Sequence, residues 1–175
     1  KDQVQHLEMT RDMAQSFNAY YGEVFVLPKF ELGTPELVPG IDGEKMSKSY
    51  GNTIPIFTQG KALKKLVMSI ETDSTPLEAP KNPDTCTAFA LYSLFASPDE
   101  IAEMRENYAG GGYGYGHAKK ALLEKIKAHF GEAYERMAEY EKNPDLVYDV
   151  LADGAKRART VARGVLDRAR AACGL

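Results

Sequence analysis

Val4, Leu7, Met13 (or Ala14), Phe17 and Tyr20 recur at helical spacing, which predicts a helix over residues 3–20 closed by Gly22. The next apolar run, residues 24–27, is short and unbroken, and Pro28 stops it; this reads as a buried strand. Helix, glycine and apolar strand in that order is the rhythm of a nucleotide-binding α/β sheet. Residues 29–57 are punctuated by Gly and Pro and read as loop, with a short extended piece at 37–41.

Beyond residue 57 the pattern is helical, at about 60–70, 83–95, 98–108, 117–141 and 144–172. Asn82-Pro83, Ser97-Pro98 and Asn143-Pro144 each set a capping side chain before a proline at the first helical position, where a missing N–H costs nothing. Glu100 completes a capping box with Ser97. The last two helices carry apolar stripes that read as core. One runs through Ala118, Leu122, Ile126, Phe130, Tyr134 and Met137, the other through Val147, Val150, Leu151, Gly154, Ala158, Val161, Val165 and Ala169.

Composition narrows the class. Hydrophobic residues at 43% and charged residues at 27% are the balance of a folded, water-soluble domain. No apolar run approaches a membrane span, and Lys1-Asp2-Gln3 opens no signal pattern, so the expected location is cytoplasmic. Cys86 and Cys173 have no spacing for zinc or a disulfide framework, and no metal held by the protein is expected. A net charge of −3 argues against coating nucleic acid by charge alone and leaves room for a local basic face.

Residues 45–49, Lys-Met-Ser-Lys-Ser, place two ammonium groups three residues apart on a loop bracketed by Gly43 and Gly51. The glycines let the backbone swing, while the serines add hydroxyl donors and backbone N–H groups open to an anion. This is equipment for holding polyphosphate. The segment 110–116, Gly-Gly-Gly-Tyr-Gly-Tyr-Gly, is compositionally unusual; its tyrosines suit packing against the helices better than stacking on a base, and no P-loop Lys-Ser/Thr follows.

The five-residue clamp resembles the KMSKS signature of class I aminoacyl-tRNA synthetases without a mismatch. Residues 1–12, Lys-Asp-Gln-Val-Gln-His-Leu-Glu-Met-Thr-Arg-Asp, are similar to the GxDQxQHxExTRD segment of the tryptophanyl-tRNA synthetase family, without its leading glycine. Phe17-Asn18, residues 22–28, the 68–74 turn and Gly114-Tyr115-Gly116 extend the likeness over nearly the whole chain. The resemblance implies a mainly α fold: a C-terminal remnant of a Rossmann-type nucleotide-binding α/β domain at residues 1–57, then a helical anticodon-binding bundle at 58–175. A chain opening at Lys1 without Met reads as cut from a longer polypeptide. The family's HIGH motif and indole pocket would lie upstream, so this portion alone is expected to be inactive.

Roles follow from the resemblance where positions match. Lys1 and Asp2 would meet the ATP ribose, and Gln3 the tryptophan ammonium. Val38 and Met46 would border adenosine, while Lys45, Ser47, Lys48 and Ser49 would hold the triphosphate and the leaving pyrophosphate, with Mg2+ accompanying ATP. Implied partners are ATP, tryptophan and tRNA(Trp), with a homodimeric parent and no membrane. Tyr50 stands where the family commonly has aspartate. A basic stripe of Lys156, Arg159, Arg163 and Arg170 fits either tRNA phosphates or a solvated face. The rival readings are a tyrosyl-type synthetase, which usually has glycine at the Ser47 position, and a non-catalytic RNA-binding module descended from a synthetase, which would have no need of both lysines.

Overall fold

The structure is a computed structural model that describes residues 3–32 and 37–175. The described residues are mainly helical and contain no strand. The helices are α1 (Val4–Tyr21), α2 (Gly60–Met68), α3 (Thr87–Tyr92), α4 (Pro98–Gly110), α5 (Tyr115–Lys142) and α6 (Pro144–Ala172). They group into two compact units, one of residues 37–138 and one combining residues 1–36 with 139–175.

The 37–138 unit holds the buried core. Leu63 and Val67 of α2, Phe89 and Leu91 of α3, Met104 and Tyr108 of α4, and Leu122 and Ile126 of α5 belong to one cluster. The capping box at the head of α4 forms as its sequence requires: the Ser97 N–H donates to Glu100 at 2.8 Å and the Glu100 N–H to Ser97 Oγ at 3.4 Å. The Lys125 ammonium also donates to Glu100 and, as the largest influence, holds its carboxyl down to about 2. Asn82 caps as well, but onto a 3-10 turn, Pro83–Thr85. Cys86 then adopts an extended backbone (φ −97, ψ 113), so the helix expected over 83–95 is divided and its α-helical part is only Thr87–Tyr92.

The glycine-tyrosine segment packs, as expected. Its turn needs glycine: Gly111 has φ +71, and a Cβ there would stand 2.3 Å from the Glu78 carbonyl oxygen. Tyr108 meets the rings of Tyr113 and Tyr115 at 5.9 and 6.0 Å. The Tyr115 hydroxyl donates to Asp73 at 2.7 Å; burial first and that carboxylate second push the phenol up to about 12. Buried Lys81 donates to the carbonyls of Pro76, Leu77 and Ala79, a charge-assisted closure of the turn ahead of α3.

In the other unit, the strand expected at 24–27 is absent. Asn18 Oδ1 accepts the N–H groups of Val24 and Phe25 at 3.1 and 2.9 Å, and its Nδ2 donates to the Phe25 carbonyl at 2.8 Å. A strand needs a partner ladder; here one asparagine takes up three backbone polar groups of the segment's first two residues, and Val26 is 91% exposed. Arg11 donates through Nε to the Pro28 carbonyl at 3.0 Å, so its observed bond is to the chain beyond the turn. The apolar stripe of α6 is realised only in part: Val147, Gly154, Val165 and Ala169 are half-buried. That helix has no buried residue, and Val150, Leu151 and Val161 are exposed. Asn143 makes no side-chain cap for α6 and instead donates to the Glu139 carbonyl of α5 at 3.2 Å.

Candidate nucleotide-binding loop

The clamp lies in the 37–138 unit on a doubled-back loop. Its two sides meet in an antiparallel bridge between Pro39 and Lys45, flanked by Met46 N–H to Val38 O at 3.0 Å and Gly40 N–H to Glu44 O at 2.7 Å. Gly43, with φ +82, takes the bend between them, a left-handed conformation that a side chain would disfavour. Here the extended piece expected at 37–41 is realised as an isolated bridge.

Beyond Met46, Lys48–Tyr50 form one turn of 3-10 helix ended by Gly51 at φ +69. Lys45, Lys48 and Ser49 are exposed, whereas Met46 and Ser47 are half-buried. The serine hydroxyls of Ser47 and Ser49 bond each other at 2.8 Å. The Ser47 N–H donates to Asn52 Oδ1 at 2.8 Å, so the backbone donor expected to face an anion is occupied at this residue. Two exposed lysines and two coupled hydroxyls on one loop form a cationic surface suited to phosphate oxygens.

Val38 and Met46 come together on an apolar cleft of about 240 Å³ that also receives Ile54, Phe95, Leu122 and Phe130. Met46, inside the lysine segment, and Val38, which accepts its N–H, thus border an apolar surface of the kind that receives the ring of a small ligand. The loop is tied by one backbone bond to the segment after α2, and it passes close to the head of α3 at Gly43. The Glu71 N–H donates to the Ile41 carbonyl at 2.7 Å, and a Cβ on Gly43 would stand 3.0 Å from Thr87 Oγ1 at the head of α3.

Gln3 is the N-cap residue of α1, exposed and without a side-chain cap bond. Lys1 and Asp2 lie outside the described residues. On α6, Lys156, Arg159 and Arg163 are exposed and share a shallow cleft with Thr160 and Gly164, as helical spacing requires. Among the described residues no group of three His, Cys, Asp or Glu is placed to hold a metal ion, and no helix is long and apolar enough to cross a membrane. Sequence reasoning missed Asn52 and Asp42, the polar pair inside the loop; the signal available for them was an Asn directly after Gly51, at the exit of the lysine segment.

Residues 1–131 match the family described as tRNA synthetases class I (W and Y). The chain is 51% identical to a tryptophan–tRNA ligase of Rhodopirellula baltica, over 99% of this chain and 55% of the relative. It is 52% identical to one from Fusobacterium nucleatum, over 100% of this chain and 54% of that one. A crystal structure of tryptophanyl-tRNA synthetase from Campylobacter jejuni complexed with ADP and tryptophan superposes with a TM-score of 0.83 at 42% identity, covering 100% of this chain and 55% of the other. The chain thus spans about half the length of the curated relatives it matches.

Proposed function

This chain belongs to the class I tRNA synthetases of the W and Y group, and from that premise we propose that it is the C-terminal portion of a tryptophan–tRNA ligase. The parent activates tryptophan with ATP and transfers it to tRNA(Trp). The tryptophan carboxylate attacks the α-phosphorus; a P–O bond forms, the bond to the β-phosphate oxygen breaks, and pyrophosphate leaves. The terminal adenosine ribose of the tRNA then takes the aminoacyl group from the adenylate.

The observation that carries this reading is the loop itself: Lys45, Ser47, Lys48 and Ser49 on one braced segment, whose Met46 edges an apolar cleft together with Val38. No protein nucleophile is needed, so the loop's work is to position the triphosphate and to stabilise charge moving onto pyrophosphate. Magnesium arrives with ATP, because a loop offering ammonium and hydroxyl groups holds phosphate and not a divalent cation. Lys1 and Asp2 are assigned to the ribose and Gln3 to the tryptophan ammonium by motif position. Divided by task, residues 1–57 serve activation and residues 58–175 serve the anticodon, with Lys156, Arg159 and Arg163 on tRNA phosphates. The same family likeness supports a cytoplasmic, homodimeric parent.

Lys48→Ala in the complete enzyme tests the proposal. Tryptophan affinity should hold while single-turnover adenylate formation falls by roughly 10²- to 10³-fold, the scale of a lost electrostatic donor. An unchanged rate removes the clamp from the mechanism. Tryptophan-dependent, and not tyrosine-dependent, pyrophosphate exchange excludes the tyrosyl reading.

A further inference from the structure

Asn52 is only 2% exposed, although it follows a surface loop. Its side chain is fully used. Oδ1 accepts the Ser47 N–H at 2.8 Å, and Nδ2 donates to Asp42 Oδ1 and Oδ2 at 2.8 and 3.0 Å and to the Lys45 carbonyl at 3.1 Å. Its own carbonyl accepts the Ile41 N–H at 3.0 Å. Lys45 and Ser47 stand on either side of Met46, so a single amide ties the backbone on both sides of that residue.

Asp42 fixes which way the amide faces. A carboxylate only accepts, so Nδ2 must turn toward Asp42, and that leaves Oδ1 for Ser47. Asp42 Oδ1 also accepts the Glu44 N–H at 3.0 Å, which holds the carboxylate inside the bend. Gly40 makes room for the arrangement: a Cβ there would lie 2.3 Å from Asn52 Nδ2. We propose that Asn52, locked by Asp42, is the positioning residue that sets the loop conformation from which Lys45 and Lys48 grip polyphosphate. This deepens the clamp reading above and rests on it. The gain is preorganisation: a loop already ordered loses less entropy when phosphate arrives.

The test titrates the 175-residue chain with inorganic tripolyphosphate, followed by amide-resolved NMR, as wild type, Asn52→Ala, Lys48→Ala, Asn52→Asp and the swap Asp42→Asn/Asn52→Asp. Asn52→Ala should speed exchange of the Ser47 amide and weaken tripolyphosphate by roughly three- to tenfold, the worth of a hydrogen bond or two, with the amides of Leu122 and Ile126 unmoved. Asn52→Asp sets two carboxylates against each other and should weaken binding further; the swap restores one donor between positions 42 and 52 and should recover part of it. If Lys48→Ala weakens binding while Asn52→Ala, still folded, binds as wild type, the inference is overturned. If Lys48→Ala binds as wild type, the polyphosphate reading fails instead, and the Ser47 amide alone decides: unchanged exchange in Asn52→Ala overturns the brace, and faster exchange upholds it.

Discussion

Gly40→Ala isolates the packing of the clamp loop from its chemistry. Gly40 is not among the positive-φ glycines, so alanine adds no backbone strain and the effect is steric. The new methyl would stand 2.3 Å from Asn52 Nδ2, 2.4 Å from its Cγ and 2.8 Å from its backbone oxygen, all well inside contact distance. Either the loop opens or the amide leaves. Overpacking of this kind costs about 1–3 kcal/mol. Displacing the amide also removes its bonds to Ser47, Asp42 and Lys45, each worth about 0.5–1.5 kcal/mol net. These alternatives overlap, so a loss of about 3 kcal/mol is expected in urea unfolding of the chain. A double-mutant cycle with Asn52→Ala then separates them, because two of the three clashing atoms vanish and only the Asn52 backbone oxygen remains. Gly40→Ala should cost about 2 kcal/mol less in that background than in the wild type. Costs that add to within about 0.5 kcal/mol would show that the Asn52 side chain does not occupy the space over Gly40, and the account of the loop would fail.

Two further outcomes follow from charge. Glu100 has a folded-state value of about 2 against an unfolded carboxylate near 4.3, so its contribution is present above the unfolded value and lost as pH falls through the folded one. The Tm gap between wild type and Glu100→Gln should therefore be wide at pH 6 and narrow toward pH 2; an equal gap at both ends would detach Glu100 from this pH window. Reversing Lys156, Arg159 and Arg163 to Glu in the complete enzyme should weaken tRNA binding and flatten the log Kd against log salt slope by about two to three, with tryptophan activation intact. An unaltered slope returns the stripe to ordinary surface.

What was legible from the sequence was what neighbours in the chain decide. The Ser97–Glu100 box closes within four residues, and Pro98 and Pro144 sit where a missing N–H is harmless, so those helix starts appear as read. The Lys-Met-Ser-Lys-Ser string stands out for the same reason, being contiguous. Misreadings fall where a distant partner decides. The apolar run at 24–27 has the composition of a strand, yet no described segment pairs with it and Asn18 takes its first backbone groups. The α6 stripe has core spacing, but burial depends on what faces it, and no residue of that helix is buried. Asn52 escaped notice because its importance comes from Asp42 ten residues earlier and from the empty position at Gly40, a relation no local pattern contains.

The two clamp lysines sit on backbone of different stiffness, and this bears on how the loop can work. The Lys45 carbonyl is held by Asn52 and its residue is bridged to Pro39, so its main chain is tied to the base of the loop and, through Ile41 and Glu71, to the segment after α2. Lys48 begins a 3-10 turn closed by Tyr50 N–H to Ser47 O and Gly51 N–H to Lys48 O, both at 3.2 Å. Bonds of that type have poorer geometry than α-helical ones, and the turn ends on a left-handed glycine with nothing within 4 Å of where a Cβ would be. Under the function proposed above, a leaving group that moves during reaction is best met by one cation held in place and another able to follow it. The loop provides that difference in its backbone, with Asn52 at the boundary between the tied half and the turn.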